Sequence, residues 1–200
     1  MTHALIVIDM QFDFCPGGAL AVAGGDRIID GINARMADFG AVILTQDWHP
    51  AGHSSFASSH PGAQPMDVTE MPYGPQILWP DHCVQGSTGA QFHSGLNRDK
   101  ADMILRKGVN PAIDSYSAFF ENDHQTPTGL HGYLQTRDIG TLTLVGLALD
   151  FCVNFSALDA ARLGYDVRVD MALSRGIDTG GSMGAALDGM RAAGVALSGG

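Results

Sequence analysis

Cys152 follows an apolar, β-branched stretch from Thr141 to Phe151 and opens a run with helical spacing from Val153 to Gly164. A thiol in that position stands at a helix N-terminus, where unpaired N–H groups and the positive end of the dipole favour the thiolate. Asp9, Asp47 and Lys107 lie at, or just past, the ends of three other apolar runs. Thiol, carboxylate and ammonium are the parts of a nucleophilic mechanism. Lys107 would lower the thiol pKa and keep the carboxylate charged, while Asp9 would take the thiol proton and later hand a proton to the leaving group. Each residue alone has a plainer reading: a free Cys is usually a small buried apolar residue, an acidic residue after a strand often forms a turn or cap, and a Lys before Gly is often a solvated turn residue. Cys15 in a turn and Cys83 in a loop beside His82 follow no strand, which makes them weaker candidates for the nucleophile.

A second constellation is Asp47-Trp48-His49, with His53 shortly after and His82 in Trp79-Pro80-Asp81-His82-Cys83. One carboxylate and two or three imidazoles suit Zn²⁺, Fe²⁺ or Mn²⁺ and leave positions open for water or a substrate nitrogen. Eight histidines in 200 residues also cluster by chance, so an unliganded reading stays open.

These residues need a scaffold that brings separate strand ends together. Ala4 to Ile8 reads as a strand buried on both faces. A helix capped by Asp26 and carrying Ile28, Ile29, Ile32, Met36 and Phe39 follows, ended by Gly40. Ala41 to Thr45 and Ala101 to Gly108 are further strands, Leu130 to Arg137 a helix, and Thr141 onward the strand before Cys152. Asp166 to Val169, a helix from Ser182 to Ala193, and Val195 to Leu197 complete the pattern. Alternating strands and helices predict a single α/β domain over residues 1–200, with a doubly wound, six-stranded parallel sheet flanked by helices. In such a sheet the carboxyl edge forms the ligand crevice, which is where Asp9, Asp47, Lys107 and Cys152 fall. The segment of about 46–100 is rich in Pro, Gly, Ser and His without sustained periodicity; a connection of that length is usually functional.

Composition narrows the partners. The net charge is −10, with 45% hydrophobic and 16% charged residues. A globular chain of that size buries roughly 70% of its unfolded surface, and an acidic one without a basic patch is not expected to bind nucleic acid or an anionic membrane. No segment reaches the length of a membrane span. Three widely spaced cysteines match neither a disulfide framework nor paired zinc knuckles, and read as reduced thiols of a cytoplasmic protein.

Five motifs carry a resemblance: Asp9-Met10-Gln11-Phe12-Asp13-Phe14-Cys15-Pro16-Gly17-Gly18; Thr45-Gln46-Asp47-Trp48-His49-Pro50 with His53-Ser54-Ser55-Phe56-Ala57; Trp79 to Gln85; Lys107-Gly108 with Asp114 to Phe119; and Val145 to Val153. They run in order over nearly the whole chain, which resembles the nicotinamidase/pyrazinamidase group of the isochorismatase-like cysteine hydrolase superfamily. The resemblance implies hydrolysis of nicotinamide to nicotinate and ammonia through a thioester, with pyrazinamide as a surrogate substrate and a role in NAD salvage. It implies Asp9, Lys107 and Cys152 as the triad, and Asp47, His49 and His82 as ligands of one divalent ion, foremost Zn²⁺, that binds the pyridine nitrogen. His53 as a fourth ligand, direct or through water, stays open. The resemblance further implies a cis peptide before Ala148, an oxyanion hole from the N–H groups of Ala148 and Cys152, and substrate walls from Phe14, Trp79 and Tyr116. Two positions depart from the family pattern: Leu149 stands where Thr is usual, and Phe12 where Asn is usual. The alternatives are another amide or ureide hydrolase of the superfamily and a catalytically silent metal-binding scaffold. Homo-oligomerisation is left open.

Overall fold

The computed structural model describes residues 2–199. The first strand, β1 (Thr2–Ile8), is apolar on both sides: Ala4, Ile6 and Ile8 enter one core cluster, Leu5 and Val7 another. Such a strand belongs in the middle of a sheet covered on both faces. The other sheet strands are β2 (Ala41–Asp47), β5 (Met103–Lys107), β6 (Ile139–Leu147), β7 (Asp166–Arg175) and β8 (Ala196–Ser198). They pair in the order β5-β2-β1-β6-β7-β8, every pair parallel. Between β2 and β5, β3 (Val68–Met71) and β4 (Gly74–Ile77) form a separate antiparallel hairpin.

The first cluster joins the sheet to α2 (Leu130–Thr136), α3 (Asn154–Arg162) and α4 (Ser182–Ala192), through Leu130, Leu134, Ala157, Ala160, Ala186 and Met190. The second joins it to α1 (Ile29–Arg35) and the turns beside it, through Ile28, Ile29, Ile32 and Met36. Helices on both faces make the sheet doubly wound. The strand order changes direction at β1, with β2 on one side and β6 on the other. In open parallel sheets the ligand crevice lies outside the carboxyl ends at that switch point.

Several boundaries differ from the sequence reading. Asp26 does not cap a helix; it lies within a 3₁₀ turn (Gly25–Ile28) entered through Gly24 at φ 67°, and the regular helix starts only at Ile29. Gly31 follows in that helix, where an added Cβ would stand 2.5 Å from Leu173 Cδ2, so close packing on β7 sets the residue there. The hairpin carries no clear pattern, because Val68–Met71 alternates between exposed and half-buried and Pro75 interrupts its partner. β7 runs to Arg175, past a register irregularity opposite Leu144 and Gly146. At the fourth expected strand, a cis peptide joins Leu147 and Ala148, and Leu149–Val153 forms a π-helical turn before α3. Cys152 therefore lies inside that wide turn instead of at the first position of a regular helix.

Candidate active site

Four strand ends supply the polar centre. Asp9 follows β1 at φ 48°, a left-handed conformation that turns its carboxylate back toward β2, where Thr45 Oγ1 donates to Asp9 Oδ1 at 2.6 Å. Asp47 and Lys107 are the last residues of β2 and β5 and stand opposite each other in register. Gln11 holds the two halves together: its Oε1 accepts the Asp47 N–H and its Nε2 donates to the Asp47 and Ala90 carbonyls, each at 2.8 Å.

Lys107 is the hub. Its ammonium lies 2.9 Å from Asp9 Oδ2, donates to Asp47 Oδ1 and to the Ser115 carbonyl, and is 3.5 Å from Cys152 Sγ. Lys107 is 1% exposed and Asp9 0%, so all of this happens away from water. A buried ammonium flanked by two carboxylates keeps its proton: burial opposes the charge, but Asp47 and Asp9 raise the Lys107 pKa well above its usual value. Burial pushes the Asp9 pKa up, against the pull of Lys107. Asp47 titrates well below the usual carboxylate range, because Lys107 and His49 outweigh its burial.

Cys152 departs from expectation. Burial pushes its pKa well up, against the pull of Lys107 and with the nearby Asp9 and Asp47 adding to the rise. Buried and facing two carboxylates to one ammonium, the resting group is a thiol. Lys107 does lower the Cys152 pKa, as foreseen, but it does not decide it.

The other Asp47 oxygen, Oδ2, faces His49 Nε2 at 3.3 Å and His82 Nε2 at 3.6 Å. The His49 Nδ1–H donates to the Gly108 carbonyl at 3.0 Å and the His82 Nδ1–H to the Pro80 carbonyl at 2.8 Å, so each ring turns its Nε2 toward the carboxylate. Gly108 at φ 66° permits this, since a Cβ there would lie 2.5 Å from His49 Cε1. Three ligand-type atoms converge within 4.8 Å of one another, Asp47 raises the His49 pKa against the effect of burial, and His49 Nε2 is buried without a hydrogen-bond partner among the described residues. That donor set fits a divalent cation. His53 does not present a free lone pair: its Nε2–H donates to the Asn110 carbonyl at 2.8 Å, and Nδ1 pairs with Ser55.

Beside this centre lies a cavity lined by Phe14, Trp79 and Tyr116 together with Asp47, His82, Ala148 and Cys152. The expected triad, metal ligands, Ala148 and aromatic walls thus lie in one place, with Asp9, Lys107 and His49 packed behind the lining. Leu20, Asp114, Phe151 and Ile177 also line it. Asp114 and Phe151 lie within quoted motifs but had no role assigned; Leu20 and Ile177 sit on irregular segments whose sequence carries no such signal.

The family model of the isochorismatase domain matches residues 3–199. The chain belongs to the isochorismatase-domain family. Within it, this isochorismatase domain is 51% identical over 192 residues to a nicotinamidase of Acinetobacter baylyi, covering 96% of this chain and 90% of that protein. The solved structure of a nicotinamidase/pyrazinamidase of Acinetobacter baumanii superposes with a TM-score of 0.97 at 50% identity, over 98% of this chain and 95% of the other. A pyrazinamidase of Pyrococcus horikoshii, solved in complex with zinc, gives a TM-score of 0.79 at 32% identity over 99% of both chains.

Proposed function

We propose that this chain is a nicotinamidase: an amidohydrolase that converts nicotinamide to nicotinate and ammonia, accepts pyrazinamide as a surrogate, and serves NAD salvage in the cytoplasm. The observation that carries it is the Lys107 ammonium, 2.9 Å from Asp9 and 3.5 Å from Cys152, behind a cavity whose aromatic walls suit a flat ring. The relatives at 51% and 50% identity support the substrate. In this reading residues 1–200 form one hydrolase domain whose segment of about 46–100 supplies the metal and substrate loops.

Asp9, its pKa raised, is the proton carrier. It takes the Cys152 thiol proton as sulfur attacks the carboxamide carbon, and the carbonyl electrons move onto oxygen. The N–H groups of Ala148 and Cys152 receive that oxyanion, a contribution of about 3 kcal/mol per donor. When the C–N bond breaks, Asp9 delivers the proton to nitrogen and ammonia leaves, with the acyl group held as a thioester. Water, deprotonated by Asp9, then attacks the thioester; the C–S bond breaks, nicotinate is released and the thiolate regains a proton from Asp9. Lys107 stays charged throughout and stabilises the thiolate and the Asp9 carboxylate in turn.

Asp47, His49 and His82 would hold one divalent ion, with Zn²⁺ favoured by the zinc-bound relative. Held there, such an ion would supply Lewis acidity toward the pyridine nitrogen and so help these residues orient the ring. Phe14, Trp79 and Tyr116 stack and enclose that ring.

Ammonia release from nicotinamide tests the reading. Wild-type protein should be active, and Cys152→Ala should lose at least about a thousandfold in kcat. An inactive wild-type protein with intact fold and metal supplied would refute it.

A further inference from the structure

Gln76 lies on β4 of the small hairpin, 1% exposed and outside every sequence motif. Its amide orientation is set from one end: Oε1 accepts from Asn122 Nδ2 at 3.0 Å and from the Tyr73 hydroxyl at 3.2 Å. Nε2 therefore faces the other way, 2.8 Å from the Tyr116 hydroxyl and 2.8 Å from the Ile77 carbonyl, with Asp114 Oδ2 at 3.2 Å. Asn122 completes the arrangement, since its Oδ1 accepts the Tyr116 backbone N–H at 3.0 Å. Two linked amides thus hold Tyr116 at its backbone and at its hydroxyl.

The hydrogen-bond inventory of that hydroxyl is decisive. Trp79 Nε1, a donor with no acceptor capacity, points at it from 2.9 Å, and Gln76 Nε2 is likewise donor-only. A phenol oxygen approached by two N–H groups spends its lone pairs on them, and its own proton must leave in a third direction. No acceptor for that proton is found among the described residues, while Tyr116 forms a wall of the cavity. A buried donor without a partner is costly, and an acceptor on the ligand removes that cost.

We propose that the Gln76–Asn122 amide pair positions Tyr116 as a hydrogen-bond donor to an acceptor atom of the bound heteroaromatic amide, which makes Gln76 a positioning residue for substrate binding. The inference rests on the nicotinamide reading. Its signature is a loss of affinity accompanied by a fall in kcat, because the acceptor left once the ring nitrogen is taken is the carboxamide oxygen, where charge develops in the transition state.

Nicotinamide is titrated calorimetrically into Cys152→Ala protein, which does not turn over, with and without Tyr116→Phe and Gln76→Met; KM and kcat are measured for the same changes with Cys152 intact. Each single change should weaken binding by about tenfold, in line with loss of one well-formed hydrogen bond, and the pair should cost no more than Tyr116→Phe alone. Tyr116→Phe, which removes only the hydroxyl, decides the matter if Gln76→Met does not fold. Unchanged affinity in these variants, or losses that multiply in the double change, would overturn the inference while leaving the nicotinamide reading intact. Failure of the parent protein to bind nicotinamide would overturn both.

Discussion

At the scale of single residues, the centre is a charge problem solved by one lysine. Replacing Lys107 with Met leaves the Asp9 and Asp47 carboxylates facing each other in the interior, and breaking a buried ion pair in this way costs about 3–5 kcal/mol. Lys107→Met should lower unfolding free energy by that amount in denaturant titration and abolish turnover; a loss below about 1 kcal/mol would mean that the carboxylates are better solvated than their burial implies. The pH profile follows from the same charges. The productive state has Asp9 deprotonated, and burial raises its pKa above 3.8, so kcat/KM should climb through an acid limb above that value. Cys152 is needed as a thiol and its pKa is well above 9.0, while Lys107 keeps its proton to well above 10.5. No alkaline fall is therefore expected up to about pH 9, and because Asp9 and its neighbours titrate together, the measured limb belongs to the group. A sharp decline near neutrality would contradict the resting thiol.

At the scale of elements, strand termini and the turns after them do the positioning. Gly108, just beyond β5, allows His49 to approach its backbone, and a methyl group there meets the imidazole at 2.5 Å in a left-handed conformation. Gly108→Ala should displace His49, reduce bound zinc in a metal assay and cost about 1–3 kcal/mol. Full metal content in that variant would show that the turn relaxes. The π-helical turn carries the departure at Leu149, which is 3% exposed and belongs to the core cluster under α3. Leu149→Thr removes apolar volume and buries a hydroxyl, so it should destabilise by about 2–4 kcal/mol without a large gain in turnover. A thousandfold gain would show that the hydroxyl usual in the family has chemistry to perform.

At the scale of the whole molecule, metal and pH act through linkage. An ion held by Asp47, His49 and His82 binds only the folded chain, so zinc at a hundred times its Kd should add about 2.7 kcal/mol of stability, and His82→Ala should abolish the increment in thermal unfolding. At the opposite edge of the sheet, His3 Nε2 sits 2.9 Å from Thr143 Oγ1. Burial, aided by Arg168, holds its pKa below 6.5. The folded protein then binds this proton more weakly than the unfolded chain, so the contribution of His3 is fully present above pH 6.5 and is lost as the pH falls through the lower folded value. The stability difference between wild type and His3→Gln should grow from about pH 5 to pH 7; a difference that shrinks would reverse the sign.

The order of strands and helices, the two apolar faces of β1 and the residues that share the carboxyl edge were all legible in the sequence, because burial on both sides writes continuous apolar runs and parallel strands put their ends on one side. The strand-end Asp9, Lys107 and Cys152 could be named for the same reason, while the metal-ligand types were legible from the clustering of Asp and His and from the family resemblance. The tertiary structure alone decided the raised pKa of Cys152, since this depends on burial and on two carboxylates brought beside one ammonium from separate strands, and spacing along the chain carries no distance between them. It also decided the contacts of Gln76, Asn122 and Asp114. Their partners lie in segments far apart in sequence, and a short half-exposed hairpin carries no apolar pattern by which to read what its one buried amide would touch.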